Sequence, residues 1–501
     1  MAEEKQQAQK PEGQPQDVAL EVNEFEALLQ KQFKPKTDRV KDAIRTAVHT
    51  LAEEALAETK LIGEDAVKTI EGIIAEIDRR LSEQINAIMH HEDFQQLEAT
   101  WRGLHRLVSN TETDETLKIR ILNLPKKDLG KTVKKYKGAA WDQSPLFKKI
   151  YEAEYGTPGG EPYGCLIGDY LFDHGPQDVE ILNGIAQIAG AAHTPFISAA
   201  APSLMNMESW QELSNPRDLT KIFQTPDYAP WRSLRESEDA KYIGLTMPRF
   251  LGRLPYGAKT NPVEAFDFEE DVDGANHSKY LWVNSAYAMG MNITRSFKQY
   301  GWCARIRGVE SGGIVEGLPC HTFPTDDGGV DMKCPAEIAI TDRREAELAK
   351  NGLMPLSHWK NTDYAAFVGA QSLQKPAEYD DPDASANARL AARLPYLFAV
   401  CRFAHYLKCI VRDKIGSFKE RKDMQDFLNR WITRYVVLDP NASEETKAQY
   451  PLAAAEVVVE EVEGNPGYYT SRFFLRPHYQ LEGLTVSLRL VSKLPSVKTG
   501  G

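Results

Sequence analysis

Features typical of membrane, secreted and nucleic-acid-binding proteins are missing from this 501-residue sequence. It has 6 cysteines and no C-x-x-C pair, so we expect the reduced thiols of a cytoplasmic protein rather than a disulfide framework. No run of about 18 apolar residues occurs, which predicts no transmembrane helix. The polar N-terminus lacks the apolar core of a secretory signal. A net charge of −12 argues against binding to nucleic acid or to an anionic membrane surface.

Motifs for nucleotide binding and nucleophilic catalysis are absent as well. The run Gly257–Thr260 lacks the spacing of a phosphate-binding P-loop, and Glu310–Gly312 matches only a fragment of a nucleophile elbow. His90 and His91 are adjacent, so on a helix they point about 100° apart and cannot easily share one metal ion. We therefore expect no catalytic residue in this chain.

Two further stretches match ion sites only loosely. Cys320, His321 and Cys334 are of zinc-ligand types, but their spacing fits no common zinc site. Residues 264–273, EAFDFEEDVD, are strongly acidic yet lack the ligand spacing of an EF-hand, which favours a solvated loop over a calcium site. The sequence therefore predicts no metal site and no cofactor.

What the sequence does contain is the composition of a folded globular protein. Apolar residues make up 42% and charged residues 26%, and the length predicts two or three domains. Helical and strand periodicities alternate along the middle of the chain, which indicates a mixed α/β (α+β) fold. Helices are predicted at 38–61, 64–89, 90–110, 179–192, 285–300, 387–415 and 423–436. Strands are predicted at 117–121, 165–167, 195–200, 243–247, 455–462, 468–476 and 484–494.

Shifts in composition divide the chain into five segments. Turn signals at Pro466-Gly467 and Glu482-Gly483 separate the last three strands, which predicts an antiparallel meander. The predicted segments are a disordered tail with a short amphipathic helix at 1–37, a helical region at 38–113, a central α/β domain at 114–374, a linker at 375–386 and a C-terminal domain at 387–501.

The helix predicted at residues 90–110 carries the clearest apolar stripe. Its large apolar side chains recur at steps of three and four, which places them on one face. Glu98 and Arg102 stand four apart and form a helix-supporting pair. Gly103 inside the helix suggests that another backbone passes close by. The stripe packs either in the chain's own core or against another chain, and it consists of Phe94, Leu97, Trp101, Leu104 and Val108.

Two other segments leave alternatives open. Residues 18–33 predict an amphipathic helix too short to be stable alone, which either folds back on its own domain or docks into a partner's groove. A basic cluster between two predicted helices is either a solvated turn or a docking site for an acidic partner. The short helix presents Val18, Val22, Phe25, Leu28 and Leu29. The basic cluster consists of Arg412, Lys414, Lys419, Arg421 and Lys422.

A series of distinctive sequence blocks follows the helix at 90–110. The blocks are WDQSPLF at 141–147, GGEPYG at 159–164, NPRDL at 215–219, WRSLRESEDAKYIGL at 231–245, MPRFLGRLPYG at 247–257, WCARIRG at 302–308, GGIVEGLP at 312–319 and PLSHWK at 355–360. Together with that helix, and over roughly residues 60–492, they resemble the TssC (VipB-like) family, the large sheath subunits of bacterial type VI secretion systems. Several blocks in the same order are far more specific than any single short motif.

The resemblance implies a structural protein rather than an enzyme. It implies a contractile-sheath subunit fold completed by a partner chain, the small sheath subunit (TssB/VipA-like). Such heterodimers would self-assemble into a helical sheath around an Hcp-like inner tube on a baseplate, contract to propel the tube, and be disassembled by a ClpV-like AAA+ ATPase. Nucleic-acid binding and membrane insertion are not expected. The alternative is a soluble α/β enzyme with an unrecognised active site.

The resemblance also implies roles for particular residues. The helix at 18–33 would bind the recycling ATPase through the five residues named above, and the stripe of 90–110 would bind the small subunit. The inner tube would contact Lys419, Arg421 and Lys422. The last strand would pair with a neighbouring subunit through Val486, Leu488 and Leu490.

Overall fold

The computed structural model describes residues 66–215, 218–325, 327–414, 421–461 and 469–480, together with positions 42 and 46. Two compact units make up the chain: Met1–Ala87 with Val263–Glu269, and Ile88–Pro262 with Glu270–Gly501. In the first unit, the side-chain amide of Asn86 donates to the carbonyl of Glu269 at 3.2 Å. The surfaces discussed below all lie in the second unit.

The helices cover most of the segments with helical periodicity. They are α1 Ala66–Met89, α2 Glu92–Ser109, α3 Lys126–Lys135, α4 Pro176–Ala192, α5 Leu219–Ile222, α6 Ala229–Glu236, α7 Ser285–Tyr300, α8 Asp342–Lys350, α9 Pro382–Ala391, α10 Leu394–Asp413, α11 Arg421–Thr433 and α12 Glu444–Gln449. Between α3 and α4, a helical turn at Pro145–Phe147 continues as a π-helix, Lys148–Gly156.

The strands fall into one large sheet and several two-stranded pairs. They are β1 Leu166–Phe172, β2 Phe196–Ala200, β3 Ile243–Met247, β4 Phe250–Leu251, β5 Trp282–Val283, β6 Ile314–Val315, β7 Thr322–Pro324, β8 Val330–Met332, β9 Leu353–His358, β10 Ala365–Phe367, β11 Leu452–Glu461 and β12 Tyr469–Pro477. The six-stranded sheet has the order β1-β2-β3-β9-β10-β6, in which β1, β2, β3 and β9 are parallel and β10 and β6 pair antiparallel.

Helices cover both faces of the central sheet. Phe196 of β2 packs in one apolar cluster with Leu182 of α4, whereas the next residue, Ile197, packs in another cluster with Met289 of α7. Successive strand residues point to opposite faces, so the two clusters are the two layers of the core. Every residue of β2 and β3 is buried, as expected for parallel strands between helices.

A separate apolar cluster organises the C-terminal part of the chain. Trp302 stacks on Phe403 of α10 with ring centroids 4.3 Å apart. Leu428 of α11 and Val457 of β11 belong to the same cluster. The antiparallel pairing of β11 with β12 confirms the first two strands of the predicted meander, and the predicted strand at 484–494 lies outside the described residues.

Most predicted elements are confirmed, and two are wrong. The segment 117–121 has no assigned strand and pairs with no described strand. The single helix predicted at 387–415 is two helices, α9 and α10, with a break at Ala392 and Arg393. Pro395 explains the break, because it has no backbone N–H to donate to the carbonyl of Ala391 and its ring would clash with that carbonyl in a continuous helix. The predicted helix at 38–61 lies almost wholly outside the described residues.

One helix passes a membrane-span test by length and composition alone. Helix α10 has a mean hydropathy of 1.3 over its best 18-residue window, although polar residues interrupt its apolar sequence. More than half of that window is buried inside the protein. Burial of this kind is what the core helix of a folded domain shows, and Leu397 and Phe398 of α10 pack in the core of the central sheet.

Candidate partner-binding groove

Helix α2 turns its apolar stripe away from the protein's own core. Trp101 is 64% exposed and Leu97 is 56% exposed, and Phe94 and Val108 are also exposed. Leu104, at the edge of the stripe, is half-buried. Of the two alternatives that the periodicity left open, packing in the chain's own core is therefore wrong for most of the stripe.

Gly103 sets this orientation of α2. A Cβ atom there would lie 2.4 Å from the Tyr287 ring and 2.9 Å from a methyl group of Val283, so only glycine allows α2 to approach α7 this closely. The expected close neighbour is present, but it is an aromatic side chain rather than a backbone. Leu107, one turn further on, is buried on the same side. Trp101 lies two positions from Gly103, about 200° around the helix, and therefore faces away from the core.

A buried ion-pair network holds α2 in place. Arg253 donates to both carboxylate oxygens of Glu270, at 2.6 and 3.0 Å, and to Glu98 at 2.8 Å. Arg102 donates to Glu98 at 2.6 Å, which confirms the predicted pair, and to the Tyr256 hydroxyl at 2.9 Å. Burial opposes ionisation of Glu98, but hydrogen bonds from Arg253 and Arg102 outweigh it and lower the pKa of the carboxyl.

The segment 117–124, which has no assigned helix or strand, also carries exposed apolar side chains. Ile121 is 70% exposed and Leu122 is 53% exposed, although both are large apolar residues. Residues of this segment, of α2 and of β1 line one groove of about 2060 Å³, and both Trp101 and Ile121 belong to its lining. Neighbouring apolar side chains that remain exposed along a groove are typical of a binding surface.

Side-chain contacts hold the segment at both ends. Near its start, Lys118 and Arg120 both pair with Glu161, the latter at 2.8 Å. At its end, the hydroxyl of Tyr170 in β1 donates to the carbonyl of Leu124 at 2.6 Å. The middle of the segment has no such tether among the described residues. The two ends of the segment are therefore held by contacts within the chain, whereas its middle remains uncovered in the groove.

Two backbone edges border this groove. β1 is the terminal strand of the central sheet and pairs only with β2 among the described strands. The segment 117–124 has no assigned helix or strand and no ladder partner in the described part of the chain. Unpaired backbone donors and acceptors of this kind accept an additional strand, with alternate side chains entering the apolar groove.

The titratable groups along the groove are poorly suited to catalysis. Burial raises the pKa of the Cys165 thiol well above its usual value and that of Cys303 to about 12. Burial also lowers the pKa of His405 to about 4. Neither thiol is a nucleophile at neutral pH under these conditions. No group of three or more His, Cys, Asp or Glu in the described residues could hold a metal ion.

The remaining predicted site residues lie partly or wholly outside the described residues. Arg421 and Lys422 are exposed in the first turn of α11, whereas Lys419 is not described. Arg412 and Lys414 are half-buried at the end of α10. The predicted ATPase-binding and strand-exchange residues fall outside the described part: Val18, Val22, Phe25, Leu28, Leu29, Val486, Leu488 and Leu490.

Sequence reasoning missed two parts of this site. The Arg253–Glu270 pair was not foreseen, because nothing in the sequence links Glu98 to Arg253, which lies 155 residues further along the chain. The exposure of the segment 117–124 was also missed. A signal was present, because Ile121 and Leu122 are adjacent and a strand cannot bury both on one face.

Comparisons with known proteins identify the family. A family model described as "EvpB/VC_A0108, tail sheath N-terminal domain" matches residues 71–374, and one described as "EvpB/VC_A0108, tail sheath gpW/gp25-like domain" matches residues 383–494. The type VI secretion system sheath protein TssC1 of Pseudomonas aeruginosa is 73% identical over 486 residues, which cover 97% of this chain and 98% of that protein.

Solved structures of contractile injection systems share a looser likeness. A chain of the anti-feeding prophage baseplate covers 75% of this chain and 84% of its own length, with 10% identity and a TM-score of 0.38. A chain of the contracted anti-feeding prophage sheath aligns over 62% of this chain and 66% of its own length, with 12% identity and a TM-score of 0.31. These scores are too low to argue from, and the family rests on the sequence matches. The chain belongs to the VipB (TssC) family of tail sheath proteins and is a large, structural subunit of a type VI secretion contractile sheath.

Proposed function

We propose that this chain pairs with a small sheath subunit along the groove between α2 and the segment 117–124. The main supporting observation is that two apolar surfaces, one around Trp101 and one around Ile121, remain exposed in the lining of a single groove. Each large apolar side chain removed from water stabilises a complex by roughly 1.5–3 kcal/mol. The unpaired edge of β1 favours a strand of the partner as the occupant of the groove.

Co-expression tests the proposed pairing. The chain produced with the small subunit should co-elute from gel filtration as a heterodimer or as larger polymers, and negative-stain microscopy should show tubules. Produced alone, the chain should be poorly soluble, because the groove stays exposed to water. A monodisperse, soluble monomer would favour the alternative of an enzyme with an unrecognised site.

Polymerisation of these pairs is proposed to depend on strand exchange at the C-terminus. The ribbon of β11 and β12 has only two strands among the described residues, and Phe474 on it is 58% exposed. One face of the ribbon packs on α11 through Val457, but an outer strand edge keeps unpaired backbone groups, so a further strand would extend it. The candidate strand at 484–494 would pair with a neighbouring subunit through Val486, Leu488 and Leu490.

Removing that strand should block polymerisation and spare the heterodimer. Deleting residues 484–501, or introducing Leu488→Pro, eliminates ladder hydrogen bonds that would join one subunit to the next. We expect sheath tubules to be lost from negative-stain images while gel filtration still shows heterodimers. Tubules of normal length from the truncated chain would show that strand exchange is not the link.

An inner tube is the proposed partner of the basic turn. Arg421 and Lys422 are exposed with no described ion-pair partner, which leaves them available to an acidic surface. Reversing the charge of Lys419, Arg421 and Lys422 should reduce co-sedimentation of sheath with tube, and raised salt should weaken it in the unaltered protein. Exposed charges are screened over a Debye length of about 8 Å at physiological ionic strength. Unchanged co-sedimentation would show that the basic turn is a solvent-exposed turn that does not bind the tube.

The recycling ATPase is proposed to grip the N-terminal helix. Phe25→Ala combined with Leu29→Ala should weaken binding of a peptide of residues 18–33 to the ATPase about a hundredfold, because two buried apolar anchors are lost. Contracted sheaths should then persist in cells, while assembly and contraction stay normal. Unaltered affinity would show that the ATPase binds elsewhere, most simply on the small subunit.

We infer that the assembly stands on a baseplate in the cytoplasm.

A further inference from the structure

A one-sided basic surface lies on helix α3. Lys127, Lys131 and Lys134 fall within about 60° of one another around the helix, with Lys135 beside them. Leu129, on the opposite side, is buried and only 2% exposed. The helix therefore packs on the protein through its apolar side and presents a lysine face, defined by these four residues, to the outside.

Little inside the described part of the chain neutralises the lysine face. Lys131 pairs with Asp128 at 2.8 Å, but both side chains are more than half exposed, so the pair contributes little. Lys127, Lys134 and Lys135 are exposed and make no ion pair with any described residue. In a chain of net charge −12, a group of exposed lysines of which three make no ion pair with a described residue is a feature that an acidic partner surface would match.

An acidic and aromatic loop lies elsewhere in the same unit. Tyr379 is 57% exposed, and the carboxylates around it are exposed and form no ion pair with a described residue. The loop has a defined shape, because the Ser385 hydroxyl bonds both the backbone N–H and the carbonyl of Tyr379, at 2.8 and 2.9 Å. The acidic residues of this loop are Glu378, Asp380, Asp381 and Asp383.

We propose that the lysine face of one copy of this chain binds the Tyr379 loop of a second copy in the sheath. The two surfaces are opposite in charge and lie on different parts of the chain. A contact between two different patches is heterologous, and such contacts generate a closed ring or, where the rotation does not close, an open helical polymer such as a sheath. The inference rests on the proposed assembly into a sheath and adds a specific contact between large subunits.

The Tyr379 loop matches the lysine face better than the other acidic stretch of the chain does. At residues 264–273, Asp271 already pairs with Lys279, and Asp273 accepts hydrogen bonds from the backbone N–H groups of Ala275 and Asn276. In the Tyr379 loop Asp381 likewise accepts a hydrogen bond from the backbone N–H of Asp383, but none of the loop's carboxylates pairs with a described cation. Its exposed aromatic ring adds a surface against which lysine stems and ammonium groups pack favourably.

A charge-swap experiment tests this contact. Lys134→Glu with Lys135→Glu should reduce the number of sheaths formed on co-expression with the small subunit by about tenfold or more, because attraction becomes repulsion at every repeat of the lattice. Glu378→Lys with Asp380→Lys should have the same effect. Combining all four substitutions should restore sheaths, because the complementary charges are present again in exchanged positions. Lys350→Glu with Lys360→Glu, at exposed lysines without ion pairs in the described chain, is the matched control and should assemble normally.

The outcomes separate this contact from the rest of the assembly. All variants should still form heterodimers on gel filtration. Rescue by the four-fold variant, with the control unaffected, supports the contact between copies. Failure of rescue, an equal defect in the control, or a defect confined to the lysine variant overturns it; the last result would assign the lysine face to a different acidic protein. Loss of the heterodimer also overturns it, while absence of sheaths from the unaltered pair would refute the proposed function itself.

Discussion

Trp101→Glu combined with Leu97→Glu should abolish association with the small subunit while leaving the chain folded. Both side chains are more than half exposed on the groove wall, so a charge at either position is harmless in the isolated fold. In the complex the same charges would be desolvated without a partner. Losing a central aromatic or aliphatic anchor of an interface costs about 2–4 kcal/mol, so the double variant should bind roughly a thousandfold more weakly.

Affinity purification of a tagged small subunit from co-expressing cells measures this effect. Ile121→Glu should give a similar loss, because Ile121 belongs to the lining of the same groove. Val330→Glu is the control: this valine is 77% exposed on the short hairpin of β7 and β8, away from the groove lining. If Trp101→Glu/Leu97→Glu co-purifies as well as the control does, the partner binds elsewhere and the groove has another role.

The exposed stripe of α2 shows where sequence periodicity reaches its limit. The 3.6-residue repeat correctly predicted the helix and grouped Leu97 with Trp101. It could not tell a face that packs on the same chain from one that packs on another, because both bury apolar area. The buried side of α2 is centred on Gly103, whose contribution is the absence of a side chain, and no hydrophobicity pattern records an absence.

The segment 117–121 failed as a predicted strand for a related reason. Its alternation of apolar and charged residues favours a strand by local pattern, which is why the sequence predicted one. A strand, however, requires a partner for its backbone groups, and none of the described strands pairs with it. Pairing depends on the whole assembly, whereas β2 and β3, whose partners lie in the same chain, were predicted nearly to the residue.

Ion pairs between residues far apart in the chain could not be predicted from the sequence either. The pair of Glu98 with Arg102 follows from their spacing on one helix and was predicted. The contacts of Glu98 with Arg253, and of Arg253 with Glu270, depend on how α2 packs on the loop after β4. That packing is set by tertiary structure, so the most buried charged residues of the candidate site can be identified only from the three-dimensional structure.

Removing the central cation of this network should destabilise the subunit strongly. In Arg253→Met the side-chain volume is nearly kept, but Glu98 and Glu270 lose the guanidinium that compensates their burial. Breaking one partner of a buried ion pair costs about 3–5 kcal/mol. Arg102→Met is the matched control, because Arg102 also bonds Glu98 but its side chain is 37% exposed; we expect a loss of about 1 kcal/mol or less. Thermal unfolding of each variant, co-purified with the small subunit, measures the difference.

The pH dependence of the stability of Arg253→Met distinguishes loss of a charge partner from loss of packing. In the unaltered chain the pKa of Glu98 is lower in the folded than in the unfolded state, so its contribution to stability is present above the unfolded pKa and is lost as the pH falls through the folded pKa. Without Arg253, burial is no longer outweighed, and the pKa of Glu98 should rise above its unfolded value. The sign then reverses, because the folded state binds the proton more tightly, and Arg253→Met should lose less stability relative to the unaltered chain at pH 5 than at pH 8. An equal loss of stability at both pH values would mean that Arg253 acts through packing alone.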